Sequence, residues 1–169
     1  TTDHISPAGA IKLDSPAAAT KFALRELARR HRALDEEVER FDEELSRLVA
    51  KRAPRLVALV GVGTDVAGAL LVTAGDNPDR LRSEASFAHL CGVAPIPASS
   101  GRIHRHRLNR GGDRSANQAL WRIVMVRLSW DERTRAYAAR RTSEGLSKRE
   151  IIRCLKRYVA REVYEVLVP

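Results

Sequence analysis

The chain is poor in cysteine, methionine and aromatic rings: two Cys, one Met, and 5% Phe, Trp and Tyr in 169 residues. Cys91 and Cys154 have neither a close paired spacing nor a zinc-ligand pattern, and each stands in an apolar run. They read as buried free thiols, which excludes a disulfide framework and a zinc finger. No apolar run approaches the roughly 18 residues a membrane span needs, and the first residues lack the basic start and apolar stretch of a signal peptide. The expectation is a cytoplasmic chain with no membrane partner. Acidic residues are scarce where basic ones are dense. Residues 1–50 hold 8 Lys and Arg against 10 Asp and Glu, leaving 22 against 11 in the remainder, so the formal charge of +9 belongs to the C-terminal two thirds.

Within residues 95–130 seven arginines (Arg102, Arg105, Arg107, Arg110, Arg114, Arg122 and Arg127) accompany one acid, Asp113. Arginine's planar fork matches two phosphate oxygens, so this bias points to a nucleic-acid partner. The segment opens with Ser99-Ser100-Gly101 and runs through Arg102, His104, Arg105, His106, Arg107, Asn109, Arg110, Gly111, Gly112, Asp113 and Arg114. A serine hydroxyl attacks phosphorus only with a proton acceptor and cations nearby. Ser100 has both close by in sequence. From spacing alone two readings stand: a nucleophilic serine in a cationic cluster, or a turn serine beside arginines that only hold phosphate.

The hydrophobic pattern predicts a mainly α protein. Residues 1–14 read as a linker or flexible end, and the missing initiator Met suggests that further chain precedes them. Ser15-Pro16 is an N-cap followed by Pro at the first helical position. The long helix after it carries Leu24, Leu27, His31, Leu34, Val38, Phe41, Leu45 and Leu48, at alternating spacings of three and four. This heptad seam predicts a coiled-coil helix over 15–53, which either pairs between copies of the chain, the expected homo-oligomer being a dimer or tetramer, or folds back on a helix of the same chain. Residues 54–169 then form a compact helical domain. Its opening, an apolar helix through Val60, the turn Gly61-Val62-Gly63 and a second helix, has the form of a helix-hairpin-helix unit in which Gly61 and Gly63 let the backbone approach a phosphate. A plain tight turn between packed helices fits equally well.

Ser83 caps a short helix that Gly92 closes. Pro95 and Pro97 make 99–112 a loop or short β-hairpin, with Ile103 and Leu108 as its strand residues. Three helices follow at about 115–129, 131–143 and 147–167. Ser147 and Glu150 make a capping box for the last, Ile152, Leu155, Val159, Val163 and Val166 its buried stripe, and Arg149, Arg153, Lys156, Arg157 and Arg161 its other faces.

From about Ser15 to Val168 the chain resembles the C-terminal part of the DEDD-type insertion-sequence transposases. The resemblance rests on Leu59-Val60-Gly61-Val62-Gly63, Gly75-Asp76-Asn77-Pro78, the run from Phe87 to Pro95, Ser99-Ser100-Gly101, the run from Arg107 to Asp113 and the run from Ser147 to Val159. It implies a coiled coil followed by a helical transposase domain that binds DNA, works with a bridge RNA and supplies an essential serine. That serine corresponds to Ser100, with the adjacent Ser99 as alternate. Phosphate contacts fall to Arg102, His104, Arg105, Arg107, Arg110 and Arg114, and His104 or His106 stands nearest for proton transfer. The family's divalent metal, magnesium, belongs to an acidic RuvC-like domain that this chain does not include, so the chain itself is expected to hold no cofactor and to be inactive alone. The alternative is a non-catalytic helix-hairpin-helix module for nucleic-acid binding and dimerisation.

Overall fold

The computed structural model describes residues 15–75, 81–98, 106–107 and 109–167. They fall into two units, Thr1–Glu43 and Glu44–Pro169. Helix α1 runs Pro16–Arg52. Ser15 Oγ accepts from Ala18 N at 3.1 Å, and no Gly or Pro interrupts the helix until Pro54, which disfavours helical geometry at Ala53. Glu26 with Arg29, His31 with Asp35 and Glu44 with Arg47 pair along its surface, and Lys51 and Arg52 meet the negative end of its dipole. The heptad seam is exposed, from Leu45 at 42% to Leu27 at 64%. His31, the polar seam position, is exposed as well.

The second unit is built from six further helices and one ribbon: α2 (Pro54–Val57), α3 (Thr64–Ala74), α4 (Glu84–Leu90), strands β1 (Ile96–Pro97) and β2 (His106–Arg107), α5 (Arg114–Trp130), α6 (Glu132–Ser143) and α7 (Lys148–Leu167). This is the mainly α fold, with a long helix and a short hairpin, that the hydrophobic pattern predicts. The core centres on α5, whose Ala116, Ala119, Leu120, Ile123 and Val124 are buried between α3 and α7. Phe87 of α4 packs on Tyr164 of α7, with ring centroids 6.2 Å apart. Val49, on the last turns of α1, and Leu56 of α2 complete the core of this unit.

Local chemistry sets the helix boundaries. Ser83 and Ser86 exchange side-chain to backbone bonds at 3.1 Å in each direction, a reciprocal cap for α4. Asp113 caps α5 through Ala116 N at 2.7 Å, Asp131 caps α6 through Thr134 N at 2.8 Å, and the Ser147–Glu150 box opens α7.

Three expectations are corrected, and a fourth lies outside the described residues. The helix after Pro54 stops at Val57, because residues 58–63 turn to bring Gly61 against α5. On α7 the buried stripe is Ile151, Leu155, Lys156, Val159, Ala160 and Val163, whereas Ile152 and Val166 are half-buried. Lys156 is therefore inside the fold rather than on a solvated face. Cys91 is buried as expected, but Cys154 is half-buried on a groove wall. Among the described residues the hairpin pairs His106 and Arg107 antiparallel with Pro97 and Ile96; the expected strand residues Ile103 and Leu108 lie outside the described residues. Pro97 has no N–H to give, and a two-stranded ribbon, all edge, accommodates it.

Candidate nucleic-acid interface

The root of the hairpin is held by the end of α4, the start of α5 and α7. Helix α4 ends in a left-handed Gly92, φ +66°, with Gly92 N donating to His89 O at 3.0 Å and Val93 N to Ala88 O at 2.9 Å. The residues leading into α5 lie directly on this cap. A Cβ at Gly112 would fall 2.1 Å from Gly92 N and 2.2 Å from Gly92 Cα, so only glycine permits this backbone contact. Polar bonds surround it. Asp113 N donates to Leu90 O at 2.7 Å, Asn109 Nδ2 to His89 O at 3.3 Å and Gly111 N to Asn109 Oδ1 at 3.0 Å. The Asn117 amide donates to Cys91 O at 2.9 Å and Gly92 O at 3.3 Å, while its oxygen accepts from Lys156 Nζ at 2.8 Å. Thus the stretch from Asn109 to Asp113, which reads in sequence as a glycine-rich basic loop, is also a structural clasp.

Between this clasp and α7 lies a groove of about 800 Å³. The hairpin side contributes Val93, Pro95, His106, Arg107 and Asn109, and α7 contributes Glu150, Arg153, Lys156, Arg157, Tyr158 and Arg161. Its charge is mostly unopposed. Glu84 neutralises Arg157, with Arg161 Nε at 3.6 Å, and Glu150 is engaged by Ser147 N at 2.9 Å and Ser147 Oγ at 2.6 Å. The Ser147 bonds, hydroxyl before amide, hold the Glu150 carboxyl below the usual carboxylate range. Burial, and after it the neighbouring Arg153, push the Lys156 ammonium below the usual lysine range. Burial, and after it Arg161, lower the Arg157 guanidinium.

Of the sequence-predicted site residues, the structure brings Arg107 and the accessory His106 to this groove, both exposed. Arg110 and Arg114 are exposed on either side of the Gly111-Gly112-Asp113 clasp. Ser99, Ser100, Arg102, His104 and Arg105 lie outside the described residues, in the segment joining β1 to β2. Gly61 and Gly63 serve different ends. A Cβ at Gly61, φ +82°, would sit 3.2 Å from Ile123 O, so this glycine is a packing position against α5. Gly63 has nothing within 4 Å of its Cβ position and stands exposed before the first turn of α3. Arg127, counted with the basic cluster in sequence, is buried: its Nε donates to Val60 O at 2.8 Å and its Nη1 to Glu162 Oε2 at 2.7 Å. It fixes the turn before α3 and is not a phosphate ligand.

The groove residues on α7 and Asn117 are not among the predicted site residues. A signal for the former was present, since Arg153, Arg157 and Arg161 repeat every four residues and so share a helix face. Asn117 carries no such signal. Cys91, with its thiol pushed up to about 12 by burial and then by the Asp113 charge, is protonated and not a nucleophile. Among the described residues no group of three or more His, Cys, Asp and Glu can hold a metal ion, and no helix is long and apolar enough to cross a membrane.

Residues 53–139, from the last residue before α2 into α6, match the family described as the transposase IS116/IS110/IS902 family. A relative in Streptomyces coelicolor, described as an insertion element IS110 uncharacterized 43.6 kDa protein, is 34% identical over 94 residues. That similarity covers 55% of this chain and 23% of the relative.

Proposed function

The chain belongs to the IS116/IS110/IS902 transposase family, and from that premise we propose that it is the serine-bearing part of the enzyme, binding DNA and supplying Ser100 as the nucleophile of strand exchange. The observation that carries the reading is the clasp. The segment containing Ser100 leaves and re-enters the fold through β1 and β2, whose root is fixed on three helices and bordered by Arg107 and the cations of α7. Catalysis by a tethered nucleophile needs such a fixed origin, because ångström misplacement costs orders of magnitude in rate.

In this reading a bond forms between Ser100 Oγ and phosphorus, a P–O bond of the DNA strand breaks, the serine proton passes to a nearby acceptor and the departing oxygen gains one. His104 and His106 stand nearest in sequence for that proton traffic. Arg102, Arg105, Arg107, Arg110 and Arg114, with His104, offset phosphate charge, and Gly63 at the start of α3 offers a backbone N–H to a second phosphate. Recognition of the target through a bridge RNA, and completion of the site by a magnesium-dependent domain outside this chain, belong to the same proposal. So does assembly into dimers or tetramers through α1, supported by the unbroken exposed seam from Leu24 to Leu48.

The test is a denaturing gel for a covalent protein–DNA adduct, made with the full-length transposase, bridge RNA and cognate DNA. Wild type and Ser99→Ala give the adduct and Ser100→Ala does not. An adduct that survives Ser100→Ala refutes the assignment. Absence of any adduct from a complex that assembles on DNA favours the non-catalytic helix-hairpin-helix module, for which the exposed Gly63 turn is the supporting feature.

A further inference from the structure

The geometry points to the groove between the hairpin root and α7 as the seat of a single nucleic-acid strand, with Lys156 at its floor and Arg107 and Arg153 as phosphate ligands from its two sides. The inference rests on the nucleic-acid reading above and deepens it, assigning a strand and named ligands to the α7 side of the site, which lies beyond the family-matched residues 53–139.

Three observations carry it. Lys156 is 8% exposed, yet among the described residues its one hydrogen-bond partner is Asn117 Oδ1 and no carboxylate pairs with it. An ammonium has three protons to give. With one committed to Asn117, the others remain for the groove that Lys156 lines. Burying a cation without an anion is costly unless a ligand compensates it, and the downward pull on Lys156 from burial and from Arg153 expresses that cost. A phosphate oxygen in the groove would relieve both.

The remaining unpaired cations converge on the same space. Arg157 and Arg161 share Glu84, whereas among the described residues Arg153 on α7 and Arg107 on the hairpin make no ion pair within 4 Å, Arg153 acting on Glu150 only through its field. Glu150, held by Ser147, marks the negative end of the row. From Arg153 to Arg161 the helix advances about 12 Å, so the cations follow a line, as a backbone ligand requires.

Size and apolar lining select a single strand. About 800 Å³ is the scale of a small-molecule site and accommodates a nucleotide or two, not a duplex. Tyr158, 49% exposed, lines the groove, and its ring makes a T-shaped contact with Tyr137 at 5.6 Å between centroids. An exposed aromatic side chain beside a row of cations is the combination on which unpaired bases stack. The clasp gives the groove its register: Lys156 orients Asn117, and Asn117 holds the carbonyls of Cys91 and Gly92 at the foot of the hairpin.

The test measures binding of the purified chain to a short fluorescent oligodeoxynucleotide, to the same sequence as duplex and to the matching RNA, across a salt series. Arg107→Gln, Arg153→Gln and Lys156→Met are each expected to weaken single-strand binding about tenfold or more and to lower the magnitude of the salt slope by about 0.7. Tyr158→Ala weakens the single strand more than the duplex, and Tyr158→Phe restores it. Arg135→Gln, on α6 outside the groove, leaves binding unchanged. Thermal melts separate lost binding from lost folding in Lys156→Met, and Arg153→Gln carries the same test without touching a buried group. Equal or larger losses on RNA support the groove and identify its strand as RNA. Wild-type binding that no groove variant weakens overturns the inference and leaves the DNA-binding reading standing. Losses confined to the duplex overturn the single-strand assignment, and a wild-type chain that binds none of the three probes at low salt overturns both readings.

Discussion

Replacing Gly112 by alanine tests whether the clasp, rather than a flexible basic loop, organises the hairpin root. The new Cβ would stand 2.1 Å from Gly92 N, 2.2 Å from Gly92 Cα and 2.8 Å from the carbonyl carbon of Cys91, all backbone atoms of the α4 cap. Unstrained carbon contacts begin near 3.5 Å, so the two backbones must separate by about 1.5 Å. That movement breaks the 2.7 Å bond from Asp113 N to Leu90 O and pulls Cys91 O and Gly92 O away from Asn117. At about 1 kcal/mol for each of these three bonds, with about 1–3 kcal/mol of overpacking strain, the expected destabilisation is about 4–6 kcal/mol. This is a large part of the roughly 5–15 kcal/mol that holds a domain together and corresponds to a drop of about 15 °C in Tm. Gly111→Ala is the internal control. Its Cβ would lie 3.6 Å from Asn109 Oδ1, an ordinary contact, at a φ that is not positive, so its melting temperature stays close to wild type. Urea or thermal denaturation followed by circular dichroism reads both. Equal stability of Gly112→Ala and wild type would refute the clasp.

Arg127→Met removes the donors to Val60 O and Glu162 while keeping most of the buried stem. Because Glu162 is partly open to solvent, the expected loss is about 2–3 kcal/mol by urea titration; salt-dependent DNA binding measured below the melting temperature stays unchanged, since Arg127 is not a phosphate ligand. Asp131→Ala removes the α6 cap. The Thr134 hydroxyl, then its amide, hold the Asp131 carboxyl below the usual carboxylate range. A depressed folded-state value means the cap contributes fully above the unfolded pKa of about 3.9 and is lost as pH falls through the folded value. The gap in Tm between wild type and Asp131→Ala is therefore constant near neutrality and narrows in acid; a gap that widens in acid contradicts the assignment. Leu34→Glu together with Phe41→Glu places charge in the exposed seam of α1. Light scattering is expected to report a smaller assembly than wild type with the helical circular dichroism of residues 44–169 retained, and an unchanged mass would remove the seam as the oligomer contact.

The amino-acid sequence alone determined what depends on neighbours within a turn of helix. The Ser15-Pro16 start, the Ser83 and Ser147 caps, the long helix α1 and the three C-terminal helices all follow from interactions between residues three or four apart, and the structure reproduces them with small shifts at their ends. Composition likewise located the basic surplus in the C-terminal two thirds. Tertiary structure alone decided which of those cations are structural and which are free. Arg127 and Val60, 67 positions apart, meet because α5 packs against the turn before α3; Lys156 and Asn117, 39 apart, meet because α7 crosses α5. Gly112 reads in sequence as a loop glycine of a phosphate site, and its place on the Gly92 backbone becomes visible only when α4 and α5 are docked. A charged side chain has the same local signature whether it is solvated or buried. Its role is settled by the desolvation and partners that the packing of distant helices imposes.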